Sequence, residues 1–430
     1  MIRSVKGNKE TCESFIKELK ARVGENDKIA EKVVSDIIEN VKQNGDRAVR
    51  EYSEKFDGWV PKQLELSLVD AEKAMAECEP AFLEALKKAA KNIREFHERQ
   101  IQQSRIDTTA EGIITGQRVK GLERVGIYVP GGTAAYPSSV LMNAIPARIA
   151  GVKEIVMVTP PGRAGKPDAN IIAAAIIAGV DRIFLVGGAQ AVAGLAYGTE
   201  SMPKVDKIVG PGNIYVAIAK KQLYGQVDID MIAGPSEILI IADESAKPAY
   251  LAADLMSQAE HDTMASSVLI TTSEKLAEET IKEIYKQLET LSRKEIIEKS
   301  LDNFGAVIIC DTMNEAVEFA NSLAPEHLEV CCENPFEYIG KLDNAGSLFL
   351  GNYSPEPLGD YYAGSNHVLP TGGTARFFSP LSVDSFLKKT SFIYYPQKPL
   401  LEAANDIICL AETEELTAHA NAIKVRKQGV

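Results

Sequence analysis

The chain carries no Cys-x-x-Cys pair, no Lys/Arg-rich run, no bilayer-length apolar stretch and only a single tryptophan. Each shortage removes a class of answers. The six cysteines, at 12, 78, 310, 331, 332 and 409, are scattered, and the neighbours Cys331 and Cys332 cannot easily bridge each other. That argues against a disulfide framework and against thiolate metal ligation. With 47 Lys and Arg against 60 Asp and Glu, the net charge of −13 disfavours nucleic acid and anionic membranes as partners. Apolar stretches such as Ile171 to Val180 fall well short of the roughly 20 residues that span a bilayer. Met1-Ile2-Arg3-Ser4 shows no apolar signal region, so the expected location is the cytoplasm. Histidine is also scarce, at 97, 261, 327, 367 and 419, which makes each one worth weighing.

A length of 430 residues suits two or three domains, and a 45% hydrophobic share suits a folded chain. The first part of the chain reads as helices. Val33, Val34, Ile37, Ile38 and Val41 follow a 3.6-residue period that stops at Asn44-Gly45. A second helix runs from Ala81 to Gln100. From Val125 onward, short apolar strands alternate with helices rich in Ala and Ile. Strands are expected at 125–129, 154–158, 182–186 and 207–209, then at 238–241, 267–271, 306–309, 328–331 and 347–350. This is the βαβα pattern of parallel sheets covered on both faces, in two α/β series. Gly351 to Pro380 is rich in Gly, Pro and Ser, and a structureless stretch of that length is more often functional than idle. After it the chain reads as helical to its end, with Thr413 as a candidate cap for the last helix.

Three strand-to-helix turns of the first series are glycine-rich: Tyr128-Val129-Pro130-Gly131-Gly132, Gly187-Gly188-Ala189-Gln190 and Gly210-Pro211-Gly212-Asn213. Such turns lie at the carboxyl edge of a parallel sheet, where helix N-termini favour phosphate. Taken singly each reads more readily as a packing turn; three on one unit shift the reading modestly toward a nucleotide or another anionic ligand. Gln258 and His261 fall in a helix expected over Lys247 to Asp262. A spacing of three sets both on its polar side, where two side chains can hold one metal ion. Asp360 in the long loop offers a third ligand, with His367 as its rival, and His419 a possible fourth. Imidazole and carboxylate suit Zn²⁺. Glu326-His327 pairs two groups that titrate at different pH, as acid–base chemistry requires, although a surface acid beside a packed His is the plainer alternative. On residues alone, three other readings stay open: aldehyde oxidation through Cys310, a zinc hydrolase with Glu326 as base, and a non-catalytic metal or nucleotide binder.

Eight segments in order resemble the histidinol dehydrogenase family. They are Val125 to Gly132, Gly188-Ala189-Gln190-Ala191, Gly210 to Asn213, Ala233 to Glu237, Gln258 to Asp262, Ala324 to Leu328, Gly364 to Thr371, and Glu414 to His419. The resemblance implies an α/β fold of two Rossmann-like parallel-sheet domains with N- and C-terminal helical extensions. It implies a helical arm over 1–25, a discontinuous catalytic domain over 26–128 and 236–380, an inserted domain over 129–235, and a tail over 381–430. It further implies a Zn²⁺- and NAD-dependent enzyme that oxidises L-histidinol through L-histidinaldehyde to L-histidine. Zinc is then expected on Gln258, His261, Asp360 and His419, and Glu326 and His327 at the acid–base centre. Ser236, Gln258, His261, His327, Asp360, Glu414 and His419 are expected to contact substrate, and Tyr128, Gln190 and Asn213 to contact NAD. The tail is expected to reach the partner subunit of a homodimer, so that His419 and Glu414 complete the neighbour's site. The family usually has a glycine where this chain has Glu415.

Overall fold

A computed structural model describes residues 2–22, 27–131, 136–162 and 165–429. Gly132 and residues 23–25 of the expected N-terminal arm lie outside them. The chain divides into two compact units, Met1–Gln100 with Leu122–Phe386, and Ile101–Gly121 with Leu387–Val430.

The first unit holds two parallel sheets. One has the spatial order Arg3–Lys6, Gly305–Ile309, Ser266–Thr271, Glu237–Ala242, His327–Cys331, Ser347–Leu350. The other runs Arg182–Leu185, Glu154–Thr159, Arg124–Tyr128, Lys207–Val209, Asp228–Ile229. Apart from the edge strand Arg3–Lys6, each sheet puts its first strand in the middle, its second and third to one side, and its fourth and fifth to the other. That is the doubly wound, Rossmann-like order. Continuous apolar runs fit it. Glu237–Ala242 and Ser266–Thr271 are buried at every residue, because helices cover both faces. The two strands on which the site depends, Glu237–Ala242 and His327–Cys331, pair with His327 opposite Ile238.

Several elements depart from the sequence reading. The N-terminal region opens with Arg3–Lys6, an edge strand too short to show a period. The helix expected to end at Asn44-Gly45 does end there: Gly45 is non-helical at φ 51°, and a second helix follows directly, the two together spanning Asp27–Asp57. Arg124–Tyr128 opens the five-stranded sheet, so that sheet starts ahead of residue 129. The second unit contains an antiparallel sheet of Arg105–Thr108, Ile114–Gly121 and Leu387–Tyr394. The C-terminal region is therefore not helical throughout. Leu387–Tyr394 carries Lys388 and Lys389 with no clean alternation, which hides it from a period-two reading. Thr413 does not cap the last helix: it closes Gln397–Thr413, its hydroxyl donating to Cys409 O at 2.8 Å. Among the described residues no helix is long and apolar enough to cross a membrane.

Glu415 joins that helix to Thr417–Gln428. Leu416 N–H donates to Ala411 O (2.8 Å) and Glu415 N–H to Glu412 O (3.0 Å), the two bonds of a Schellman end. The motif needs a left-handed residue, and Glu415 sits at φ 61°. A side chain there costs about 1 kcal/mol that glycine avoids. Glu415→Gly should therefore raise the chemical-denaturation midpoint; an unchanged or lower midpoint would show that the turn is unstrained.

Candidate active site

Helices in a doubly wound unit run antiparallel to the strands, so their C-termini overhang the amino edge of the sheet. Pro248–Ala259 ends there and carries Gln258 in its last turn. The helix stops at Ala259, short of the expected Asp262, so His261 lies beyond it, its N–H donating to Gln258 O at 3.2 Å. Nor does Gln258 face solvent on a polar side: it is 1% exposed. Glu356–Tyr361 is a helix inside the stretch expected to be a loop, and it brings Asp360 back to the same edge. Glu326 and His327 stand where the strand His327–Cys331 begins. The left-handed Ala324 (φ 54°) ends the preceding helix and turns the chain into Pro325-Glu326-His327. Ser236 directly precedes the strand Glu237–Ala242, and its carbonyl accepts from Ser266 N–H at 3.0 Å.

Backbone atoms of Glu237 orient both Glu326 and His327. Its N–H donates to Glu326 Oε2 at 2.9 Å, and its carbonyl lies 3.0 Å from His327 Nδ1. Nδ1 therefore carries a proton, and Nε2 is buried without a hydrogen-bond partner among the described residues. Asp360 Oδ1 lies 3.8 Å from it, and Glu326 Oε2 lies 3.6 Å from Nδ1.

The electrostatics are dominated by buried carboxyls. Burial pushes Glu326 up to about 7, against the opposing pull of His327. Burial also disfavours the His327 imidazolium, but Glu326, Asp360 and Glu356 outweigh it and lift the ring to about 10. For Asp360 the burial penalty is overcome by His327 and His367, which bring it down to about 2. Burial, then Asp360, pushes Glu356 up to about 8. His261 is held below its ordinary value, chiefly by burial, so it is neutral, the form that ligates metal.

Ligand atoms of His261, Glu356 and Asp360 lie within 4.8 Å of one another. Both polar atoms of the Gln258 amide are buried without a partner among the described residues. An orphaned amide costs about 1–3 kcal/mol, which a ligand would offset. Neutral imidazole, ionised carboxylate, orphaned amide and excess negative charge together suit a divalent cation. Glu356 is absent from the residues expected from sequence. The signal was its i,i+4 spacing from Asp360, which means something only once 356–361 is recognised as helical. His367 remains close: its Nδ1 donates to the Asp360 carbonyl at 3.0 Å, so it steadies the backbone of its rival. Its Nε2 lies 3.4 Å from Ser139, in the first turn of the helix Pro137–Ile149 of the five-stranded half.

The described parts of the three glycine turns, Tyr128 to Gly131, Gly187 to Gln190 and Gly210 to Asn213, meet at the carboxyl edge of the five-stranded sheet. Tyr128 is buried, and its hydroxyl accepts from Gly188 N–H at 3.0 Å. A Cβ at Gly210 (φ 107°) would lie 2.1 Å from the Tyr128 carbonyl oxygen, so only glycine lets these two strand ends approach. Gln190 is 1% exposed, with Oε1 lacking a partner among the described residues. Asn213 caps Ile214–Leu223, its Oδ1 accepting from Tyr215 and Val216 N–H. Close backbone approach and an orphaned amide fit a dinucleotide.

Glu414 and His419 belong to the second unit and are exposed, His419 on the helix Thr417–Gln428. Cys310 follows the strand Gly305–Ile309 at its carboxyl end, the edge opposite Glu326 and His327 in the same sheet, and burial pushes its thiol up to about 12. It is no activated nucleophile.

A family model described as histidinol dehydrogenase matches residues 20–427. The histidinol dehydrogenase of Clostridium acetobutylicum is 56% identical over 426 residues, 99% of each chain. That of Caldanaerobacter subterraneus subsp. tengcongensis is 59% identical over 404 residues, 94% of this chain and 93% of its own. The crystal structure of histidinol dehydrogenase from Elizabethkingia anophelis matches with a TM-score of 0.94 at 38% identity, covering 100% of this chain and 98% of that one. With residues 20–427 inside the family model and nearly the whole chain inside matches at 38–59% identity, the chain belongs to the histidinol dehydrogenase family.

Proposed function

We propose that this protein oxidises L-histidinol through L-histidinaldehyde to L-histidine, using Zn²⁺ and two NAD in succession. The observation that carries this reading is the buried, unpartnered amide of Gln258, three residues ahead of neutral His261, whose ring clusters with ionised Asp360 and with Glu356. Gln258, His261 and Asp360 would hold the metal, with His419 supplied by the partner subunit's tail. Zn²⁺ would supply a Lewis-acidic anchor for the imidazole and amine of the substrate, and NAD would accept the hydride. Tyr128, Gln190 and Asn213 would bind the dinucleotide. Ser236, with Glu414 from the partner's tail, would help hold the substrate.

The chain's own groups then handle the protons. His327 would take the alcohol proton at Nε2, once a cation held by Asp360 offsets that carboxylate's pull on the ring. The Glu237 carbonyl keeps that tautomer in place throughout. Glu326, held by Glu237 N–H and raised by burial, is poised near neutrality to activate water for hydration of the aldehyde. Burial of both groups keeps bulk water from a reactive aldehyde.

NADH formation from L-histidinol, measured before and after chelation with the product identified, tests this reading. Two NADH per histidine, lost on chelation and restored by zinc, are expected. Hydrolysis of an amide or ester with no NADH would instead favour a zinc hydrolase. Site sharing has its own test. Inactive His419→Asn and His261→Asn proteins, unfolded together and refolded, should regain about a quarter of wild-type activity, since mixed dimers then hold one intact site. No recovery would mean that each site is built from one chain.

A further inference from the structure

Beneath the cofactor turn lies an ion pair that the proposed chemistry does not use. Lys220, on the helix Ile214–Leu223, and Asp230, just after the strand Asp228–Ile229, have side chains only 3% and 2% exposed. They contact each other, and both also grip Gly210. Lys220 Nζ donates to the Gly210 carbonyl at 2.9 Å, and Asp230 Oδ2 accepts from Gly210 N–H at 2.7 Å. Asp230 Oδ1 accepts in addition from Met231 N–H at 2.7 Å. A buried ion pair is a weak source of stability, since desolvation offsets most of its attraction. What this pair contributes is geometry. It fixes both polar groups of a glycine that stands outside the strand ladder and presses against Tyr128.

We infer that Lys220 and Asp230 are positioning residues that preset the Gly210–Asn213 turn for the dinucleotide. The inference rests on the reading that this sheet edge binds NAD. Gly210 leads within three residues to Asn213, whose Oδ1 is committed to capping the helix. The Asn213 NH₂ is therefore the part of that side chain left to donate to a ligand. Its location depends on the turn, and the turn is held at Gly210 from both sides. A turn of this length without such a hold would sample several conformations, and binding would carry the cost of selecting one.

The test measures NADH binding directly, by calorimetry on the zinc-loaded protein without substrate. Lys220→Met/Asp230→Leu removes both charges together and so avoids a lone buried ion. The double variant should keep its zinc content and its thermal midpoint but bind NADH at least tenfold more weakly. Lys220→Arg, which can still reach both partners, should bind within a few-fold of wild type. If the double variant does not fold, Lys220→Gln/Asp230→Asn serves in its place: it keeps both shapes and again leaves no lone buried charge, and weaker NADH binding is again expected. Unchanged NADH binding in a folded, zinc-loaded variant would overturn the clamp while leaving the cofactor reading intact. Failure of the wild-type protein to bind NADH would overturn both.

Discussion

Glu326→Gln should slow oxidation of L-histidinaldehyde by about 10²–10⁴-fold, the usual contribution of a positioned general base. Oxidation of L-histidinol should fall much less. The substitution leaves an oxygen to accept from Glu237 N–H, so it removes the titration and keeps the shape. The pH profile supplies a second readout. Because burial lifts Glu326 to about 7, its base form is scarce below that pH and dominant above it. The wild-type aldehyde step should therefore climb as pH rises through about 7, and the glutamine variant should lose that limb. Stopped-flow NADH formation from each substrate separates the two steps. Equal losses in both, with the limb retained, would remove Glu326 from the role of water activator.

Loss of a metal ligand should have an effect of similar size. His261→Asn should release zinc on dialysis and lower kcat by about 10³-fold, taking several kcal/mol as the contribution of the metal. Gln258→Leu makes the same point from the opposite side. It replaces an orphaned amide by an apolar group of like volume. The metal-free protein should then gain about 1–3 kcal/mol of stability while metal retention and activity fall. A Gln258→Leu protein that holds zinc stoichiometrically and turns over normally would mean that the buried amide serves packing alone. A less stable metal-free protein would mean that its hydrogen bonds are satisfied within the chain.

The parallel-sheet architecture was readable because both-face burial writes itself as uninterrupted apolar runs. Glu237–Ala242 and Ser266–Thr271 needed no tertiary information to be recognised as strands. Arg3–Lys6 and Leu387–Tyr394 were not readable, since a four-residue edge strand and a Lys-bearing, mostly exposed strand leave no period. The glycine turns pointed to the carboxyl edge of the five-stranded sheet. No such rule pointed to the opposite edge of the six-stranded sheet, where Glu326 and His327 lie. Glu326 and His327 stand at the amino end of their strand, where the general expectation for doubly wound sheets places no ligand.

By itself the sequence determined the strand-and-helix alternation, the glycine turns and, through eight ordered segments, the family. Those are local or ordered features, and a chain displays them without being folded. Only the tertiary structure decided that Gln258 is buried rather than solvated and that Asp360 rides a helix beside Glu356. Only it showed that the backbone of Glu237 orients both Glu326 and His327. Each depends on where a helix stops and which strand lies next to which, and those contacts join residues up to about a hundred positions apart, a distance that no local pattern spans.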